Sequence, residues 1–343
     1  MSEESLHSDL IGRYGEGEMR PGFWWVGVFL ITILAVPLPP ESEGSPVPTL
    51  EISGFTPRWG ASAVRLSNGT VVVTGGFSGE DVGTTEIWHP VSRKWTRAAS
   101  DPQRRTSASA VPLADGTVMV IGGYNGHYLQ TNEIFDPVQN RWKKIASDPV
   151  PRGGGAAVLL PNGDIFVTGG FNDTGYLDSS EIFRPRSGLW HPVRPDPVLR
   201  WAFVTVTLKD GNVLVVGGYN GQTLGLAERY NPGSDTWKTV APDPVLRWGA
   251  SAVLLPSGNV LVIDGYHGSY LSTAEIYSPF QNTWTRVASD PIPREKAIAV
   301  LLSDGTVLVE GGLNPGGFPS VGEIYNPITD KWANLPSPNS QTP

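Results

Sequence analysis

Short apolar runs alternate with tight-turn signals along most of the chain. In the first such unit, an apolar run at residues 61–66 is followed by Asn68-Gly69 and then by a valine-rich run at 71–73. Asn-Gly and Asp-Gly pairs mark two-residue hairpins, because both central positions of that turn need a positive φ. The pattern therefore predicts antiparallel hairpins of short β-strands.

The same unit recurs six times. The first residues of a Gly-Gly doublet are spaced by 47, 47, 48, 47 and 47 residues, with Asp as the first residue in the fifth unit: Gly75, Gly122, Gly169, Gly217, Asp264 and Gly311. A glutamate follows each doublet, at Glu86, Glu133, Glu181, Glu228, Glu275 and Glu323. A tryptophan closes each unit, at Trp95, Trp142, Trp190, Trp237, Trp284 and Trp332. Periods of this length are typical of propeller blades or solenoid turns.

Each unit contains signals for four antiparallel strands and none for a helix. A single four-stranded sheet cannot bury both of its faces, so neighbouring units must stack and the ring must close. We expect the tryptophans and the Gly-Gly doublets to pack unit against unit. We expect the glutamates to pair with backbone amides or with partners that join neighbouring units, because a buried carboxylate must find donors.

The doublet after a hydrophobic strand, the downstream glutamate and the closing tryptophan resemble the Kelch family. The resemblance extends over residues 56–336 and all six units. It implies an all-β fold, a six-bladed β-propeller, which we assign to residues 56–343. Residues 49–53 are interpreted either as an extra strand that joins the last blade or as the end of a linker.

The amino-terminal region has a different composition. No charged residue occurs from Pro21 to Pro40, and about twenty helical residues span one hydrocarbon core. We predict an acidic tail at 1–20, a single transmembrane helix at 21–38 and a Pro-rich linker at 39–55. A cleaved signal peptide and a buried helix are the alternatives, but the tail has five acids against two bases and lacks an A-x-A-like cleavage site. Arg13 and Arg20 favour a cytoplasmic amino terminus and a periplasmic or extracellular propeller.

Composition excludes several other classes of protein. The 343 residues include 41 Gly and 31 Pro, which a helical bundle would not tolerate, whereas 12 Trp and 39% hydrophobic residues argue against disorder. The chain has no Cys, which excludes disulfides, Cys-ligated zinc, iron–sulfur clusters and thiol catalysis. Of the formal charge of −8, residues 1–57 carry −6, so the rest offers no basic surface for nucleic acid. The five histidines share no repeat position, and we expect no metal and no cofactor.

An arginine stands 17 residues before each doublet. The series is Arg58, Arg105, Arg152, Arg200, Arg247 and Arg294. The Kelch resemblance places it at the innermost strand, and in Kelch propellers that bind acidic peptides arginines at this place line the binding face. Guanidinium groups suit bidentate capture of carboxylate or phosphate. Five of the six, however, lie four residues after an Asp that could neutralise them, at Asp101, Asp148, Asp196, Asp243 and Asp290. Gly54 replaces that Asp before Arg58, so Arg58 is expected to be the free one.

Two further groups of residues depart from the common repeat. Trp59, Trp201 and Trp248 follow their arginines, and we interpret them either as interface hot spots or as rings packed between blades. The charged residues of units five and six are Asp264, Glu295, Lys296 and Glu310. They are expected to share one sector with Arg294, as an acid–base site or as a mutually satisfied ion network.

These patterns favour a membrane-anchored, non-catalytic protein-binding module. Its partner would be a protein, integral membrane subunits included, and the chain would be an accessory or structural subunit of a larger membrane complex such as a respiratory or photosynthetic assembly. One alternative is a Kelch-propeller enzyme such as a sugar epimerase, which unpaired Lys296, Glu310 and Arg294 in a deep channel would favour. Another is an acidic-ligand or carbohydrate-binding protein. A flat face with every arginine paired would favour a structural subunit.

Overall fold

The structure is a computed structural model and describes residues 50–52 and 54–335. In these residues every regular element is a β-strand, and no helix is both long and apolar enough to cross a lipid bilayer. The predicted transmembrane helix at 21–38 lies outside the described residues. The strands form six antiparallel sheets of four or five strands, one for each sequence repeat, and one additional two-stranded hairpin.

The first three blades contain fifteen of the strands. Blade 1 contains β1 (Leu50–Ile52), β2 (Ser62–Arg65), β3 (Val71–Thr74), β4 (Thr85–His89) and β5 (Lys94–Ala98). Blade 2 contains β6 (Ser109–Pro112), β7 (Val118–Ile121), β8 (Asn132–Asp136) and β9 (Arg141–Ile145). Blade 3 contains β10 (Ala156–Leu159), β11 (Ile165–Thr168), a small hairpin of β12 (Phe171–Asn172) and β13 (Gly175–Tyr176), then β14 (Ser180–Arg184) and β15 (Leu189–Val193).

The last three blades follow the same order. Blade 4 contains β16 (Val204–Thr207), β17 (Val213–Val216), β18 (Ala227–Asn231) and β19 (Thr236–Thr239). Blade 5 contains β20 (Ser251–Leu254), β21 (Val260–Ile263), β22 (Ala274–Ser278) and β23 (Thr283–Val287). Blade 6 contains β24 (Ile298–Leu301), β25 (Val307–Glu310), β26 (Glu323–Asn326) and β27 (Lys331–Asn334).

The first strands of the repeats surround a central axis. Each of β2, β6, β10, β16, β20 and β24 contacts the first strand of both neighbouring blades, and β24 contacts β2. In four of these strands, β2, β16, β20 and β24, the side chains alternate between buried and half-buried positions. Because alternate side chains of a strand point to opposite faces, one set packs against one neighbouring blade and the other set packs against the blade on the opposite side. The ring is therefore closed, and it has six blades.

Six backbone hydrogen bonds close the channel wall at one level. The residues two positions after the arginines each donate their N–H to the carbonyl of the equivalent residue in the neighbouring blade, at N–O distances of 2.6 to 3.2 Å: Gly60, Ser107, Gly154, Ala202, Gly249 and Lys296. All six have a left-handed backbone, with φ between +48° and +64°. The last bond runs from the N–H of Gly60 to the carbonyl of Lys296. We call this set the axial hydrogen-bond ring.

Six hydrophobic clusters fill the seams between neighbouring blades. The repeat tryptophan lies in these seams, as predicted. In five blades its indole N–H also donates to a backbone carbonyl of the preceding blade, as Trp142 does to Ala99 at 2.8 Å. The tryptophan therefore packs against apolar neighbours and satisfies its own polar atom across the seam.

The start of the described chain corrects both expectations for residues 49–53. Strand β1 pairs with β5, so it extends the outer edge of the first blade and does not join the last one. In the described residues, each blade takes its strands from one continuous stretch of chain, and the seam between blades 6 and 1 has its own hydrophobic cluster. The ring closes through side-chain packing and the axial hydrogen-bond ring instead of a shared strand.

We expect Gly154→Ala to lower the free energy of unfolding by about 2 to 4 kcal/mol, because alanine is strained in the left-handed backbone conformation and its side chain would clash with a neighbour. The Cβ atom would lie 2.2 Å from the indole nitrogen of Trp201. Gly163→Ala is the matched control, since its φ is +86° but no atom lies within 4 Å of its Cβ position, and it should cost about 1 to 2 kcal/mol. If chemical denaturation gave the same loss of unfolding free energy for both variants, close packing at the axis would not contribute to stability.

Candidate functional site

The six repeat arginines are buried and ion-paired. Each is 2% exposed or less, and each contacts the repeat glutamate of its own blade: Glu86, Glu133, Glu181, Glu228, Glu275 and Glu323. The expectation of arginines open to an acidic ligand at the channel mouth is wrong. The glutamates also differ from expectation, because their main donor is a guanidinium within the blade.

The five Asp-Pro aspartates complete these clusters, as the spacing suggested. Arg105 Nε lies 2.8 Å from Asp101 Oδ2, and the other four pairs of this kind span 2.9 to 3.3 Å: Arg152–Asp148, Arg200–Asp196, Arg247–Asp243 and Arg294–Asp290. A second guanidinium nitrogen donates to the carbonyl of the first doublet residue of the same blade, as Arg105 does to Gly122 at 2.8 Å. Each arginine thereby ties the start of the inner strand to the second and third strands of its blade.

Arg58 differs from the other five but is not free. Its Nη2 lies 2.9 Å from Glu86, its Nη1 donates to Thr84 Oγ1 at 2.5 Å, and the ring of Phe55 lies 4.8 Å from its guanidinium carbon. Within the described residues its Nε has no hydrogen-bond acceptor, since Gly54 occupies the aspartate position. Burial lowers the pKa of Arg58 to about 10.

The three tryptophans next to the arginines surround one lysine. Trp59, Trp201 and Trp248 are at most 5% exposed, so the expectation that they form an exposed interface is wrong. The ammonium of Lys296 lies 4.0, 4.2 and 6.0 Å from their ring centres and 3.3 Å from Ser107 Oγ. These distances place a cation over three aromatic faces. Beside this cluster lies an axial cavity of about 140 Å³, which Lys296 lines together with the rest of the axial hydrogen-bond ring.

Glu295 lies beside this lysine. It is 1% exposed and accepts a hydrogen bond of 3.3 Å from the indole N–H of Trp59. Burial raises the pKa of the Glu295 carboxyl and lowers the pKa of the Lys296 ammonium, while each opposes the shift of the other. Glu295 is thus a buried carboxyl next to the half-buried ammonium of Lys296.

Asp264 occupies a backbone position that glycine fills in the other blades. Its φ is +62°, like the φ of +60° to +69° at the equivalent glycines. The side chain is 1% exposed, and its Oδ2 lies 4.0 Å from Arg294 Nε. Burial, followed by the charge of Asp290, raises the pKa of Asp264 well above its usual range. The Asp264 carboxyl is therefore buried beside the Asp290–Arg294 ion pair, and within the described residues neither of its oxygens has a hydrogen-bond partner.

The side chain of Glu310 occupies space that is open because the residue facing it is a glycine. At the equivalent positions of blades 1 and 3, Thr74 and Thr168 bond a hydroxyl on the facing strand. In blade 6 the facing residue is Gly322, and a Cβ there would lie 2.3 Å from Glu310 Oε1. Glu310 is 4% exposed, and burial raises its pKa to about 8.

The charged residues of blades 5 and 6 thus form two groups instead of one sector. Asp264 belongs to the buried cluster of Arg294, and Glu310 experiences the charge of that arginine. Glu295 and Lys296 lie at the axis with the tryptophans. Arg294 is paired with Asp290 and Glu323, so it is not among the unpaired residues that would favour the enzyme alternative.

The sequence analysis missed a set of aromatic rings around the axis. The residue after each doublet is aromatic in five of six repeats, which was the available signal, and it bridges to the residue after the repeat arginine. These residues and the rings of the adjoining loops form what we call the aromatic face. The centres of contacting rings lie 4.9 to 6.4 Å apart, and some of the contacts are made through Trp248. Its members are Phe77, Tyr124, Tyr128, Phe171, Tyr176, Tyr219, Tyr266, Tyr270 and Phe318. All are half-buried except Phe77, which is buried.

Over residues 54–335, no group of three or more His, Asp or Glu side chains is arranged to hold a metal ion. The six repeat arginines are ion-paired within their blades, and eight of the nine rings of the aromatic face are half-buried, so part of each of these rings is exposed. The arrangement is suited to binding by surface contact.

Comparison with known proteins agrees with the fold. The closed ring of six antiparallel sheets defines a six-bladed β-propeller. The Kelch motif matches residues 58–102, 105–149, 152–197, 200–244 and 297–339, together more than half of the chain. The chain therefore belongs to the Kelch-motif family. The match omits the fifth repeat, where Asp264 replaces the doublet glycine.

A solved structure described as "Structure of YjhT" is similar over 83% of this chain and 99% of its own, with a TM-score of 0.71 and 16% sequence identity. At that identity the likeness establishes the fold alone. No curated protein matches the sequence.

We expect the Glu310 carboxyl to make stability depend on pH. Its folded pKa of about 8 exceeds the ordinary 4.5, so the folded state binds the proton more tightly. The free energy of unfolding should fall as pH rises from about 4.5 to 8, by up to about 5 kcal/mol from this group. Glu310→Gln should flatten that decline in denaturation curves, whereas Glu80→Gln, at an exposed carboxylate, should not. Parallel curves for wild type and Glu310→Gln would contradict the assignment.

Proposed function

We propose that this propeller is a non-catalytic binding module whose partner docks on the aromatic face. The observation that carries the proposal is the connected set of half-buried rings around the axis. Tyrosine and other aromatic side chains supply a large rigid contact area and dominate the energetics of protein interfaces. The partner is a protein.

The buried arginine clusters favour a partner that docks on the aromatic face over an acidic ligand that pairs with the arginines. Every repeat arginine already has a carboxylate partner inside its blade. Breaking a buried ion pair costs about 3 to 5 kcal/mol, so an acidic peptide gains little by competing for these guanidinium groups. The same clusters hold the loops of the aromatic face in place, because four of the six arginines donate to the carbonyl of the first doublet residue, two positions before an aromatic ring.

We further propose that residues 21–38 anchor the module as a single-pass helix, with a cytoplasmic amino terminus and a periplasmic or extracellular propeller. The uncharged run with Trp24 and Trp25 at one end supports this. The partner would then be another subunit of the same membrane, integral membrane subunits included. The chain would act as an accessory or structural subunit of a larger membrane complex, such as a respiratory or photosynthetic one.

The aromatic face is tested by the double variant Phe171→Ala/Tyr219→Ala. We expect it to weaken recovery of the partner at least tenfold, because losing interface rings costs about 1 to 2 kcal/mol each. Phe280→Ala is the matched control, at an aromatic side chain that is 99% exposed in a hairpin turn of blade 5. Quantitative pull-down from native membranes, with thermal unfolding to verify folding, gives the answer. Unchanged recovery by the folded double variant would refute the proposed face.

The anchor is tested by carbonate washing of native membranes. We expect the full-length chain to stay in the pellet, since a spanning helix of about 20 apolar residues is not released by high pH. Deletion of residues 1–38 is the control and should leave a propeller that no longer pellets by itself. Release of the full-length chain, or a shortened amino terminus in the mature protein, would contradict the anchor.

A further inference from the structure

The axial channel has a second cavity, at the end away from the aromatic face. Its volume is about 430 Å³, and it is lined by the inner strands of blades 1, 5 and 6 and by Pro112 of blade 2. The strand β2 runs from the channel wall near the tryptophans to Arg65, so this cavity lies at its far end. The size falls within the range of about 300 to 1,000 Å³ that is usual for small-molecule sites.

The side chains that line this cavity are apolar apart from those of Arg65 and Ser67. Ala63, Leu254, Ala299 and Leu301 contribute to it, and its lining residues include no Asp or Glu. Arg65 is the charged residue among them. The equivalent strand ends in the other five blades carry Pro112, Leu159, Thr207, Leu254 and Leu301, so the repeat itself does not require a charge here.

Arg65 is half-buried, and its guanidinium is only partly used. Its Nη1 donates to the carbonyl of Leu301 in the neighbouring blade at 3.2 Å. Among the residues that the structure describes, it forms no ion pair, unlike the six repeat arginines. A guanidinium has five N–H donors arranged to match a carboxylate, so Arg65 keeps donors for an anion that enters the cavity.

We propose that this cavity binds a small monocarboxylate with an apolar chain, whose carboxylate pairs with Arg65 while the chain lies against the alanine and leucine side chains of the inner strands. An apolar wall excludes water from the ligand's chain, and the single cation selects its charge. The smaller axial cavity, which Lys296 lines, likewise has no carboxylate among its lining residues. This site is separate from the aromatic face and does not depend on the proposed docking of a protein.

The test uses decanoate as the probe, with decanol and decyltrimethylammonium as matched ligands of the same chain length. Titration calorimetry on the intact protein, below the critical micelle concentration, should give one saturable site for decanoate and at least tenfold weaker binding for the other two. Arg65→Leu should weaken decanoate at least tenfold and leave decanol unchanged. This variant places in blade 1 the leucine of three other blades, so its fold is expected to hold. Arg186→Leu, at an exposed turn of blade 3, is the control and should bind as wild type does.

Three outcomes would overturn the proposal. They are equal binding of decanoate and decanol, unchanged decanoate binding by folded Arg65→Leu, and absence of a saturable site. Thermal unfolding without ligand shows whether each variant is folded. Thermal unfolding with ligand then reports binding, because a ligand that binds only the folded state raises the melting temperature of the protein. Failure of this test leaves the aromatic-face result unaffected, since that result is read from Phe171 and Tyr219.

Discussion

The axial hydrogen-bond ring is the constraint on which the rest of the structure depends. Six successive N–H groups can reach six successive carbonyls only if every blade presents a left-handed residue at the same height on the axis. Three of the six positions are glycine, and Ser107, Ala202 and Lys296 adopt the same backbone at some cost. Because each blade is fixed to both neighbours at this level, the Lys296 cluster and both axial cavities are held by a rigid wall.

Around this wall, the buried ion pairs determine how the strands and loops of each blade are arranged. Each repeat arginine connects its inner strand to a glutamate on the third strand and, in five blades, to an aspartate in the loop before it. Such pairs contribute little net stability relative to apolar packing, yet losing one partner leaves a buried charge. They therefore enforce one arrangement of the loops that carry the aromatic face. Blade 1 lacks the aspartate and places the ring of Phe55 over Arg58 instead.

The fold followed from the sequence because spacing, turn residues and strand patterns all repeat six times. The candidate site was less predictable. The Asp-Pro spacing correctly indicated paired arginines, but the place of Trp59, Trp201 and Trp248 depends on how blades meet at the axis, which no single repeat encodes. Glu310 shows the same limit, since its buried position depends on Gly322, a residue twelve positions away that lacks a side chain. The aromatic residue after five of the six doublets is visible in the sequence, but the contacts between these rings depend on how neighbouring blades meet, which no single repeat encodes.

The strand β1 and the seam between blades 6 and 1 have an evolutionary consequence. Within the described residues, every blade is one uninterrupted stretch of chain, and the seam between the last and the first blade is packed like the other five. The ends of the polypeptide can therefore be moved to a different seam by circular permutation without dividing a sheet. A gene of this kind can also gain or lose whole repeats by duplication or deletion, because each repeat encodes one complete blade.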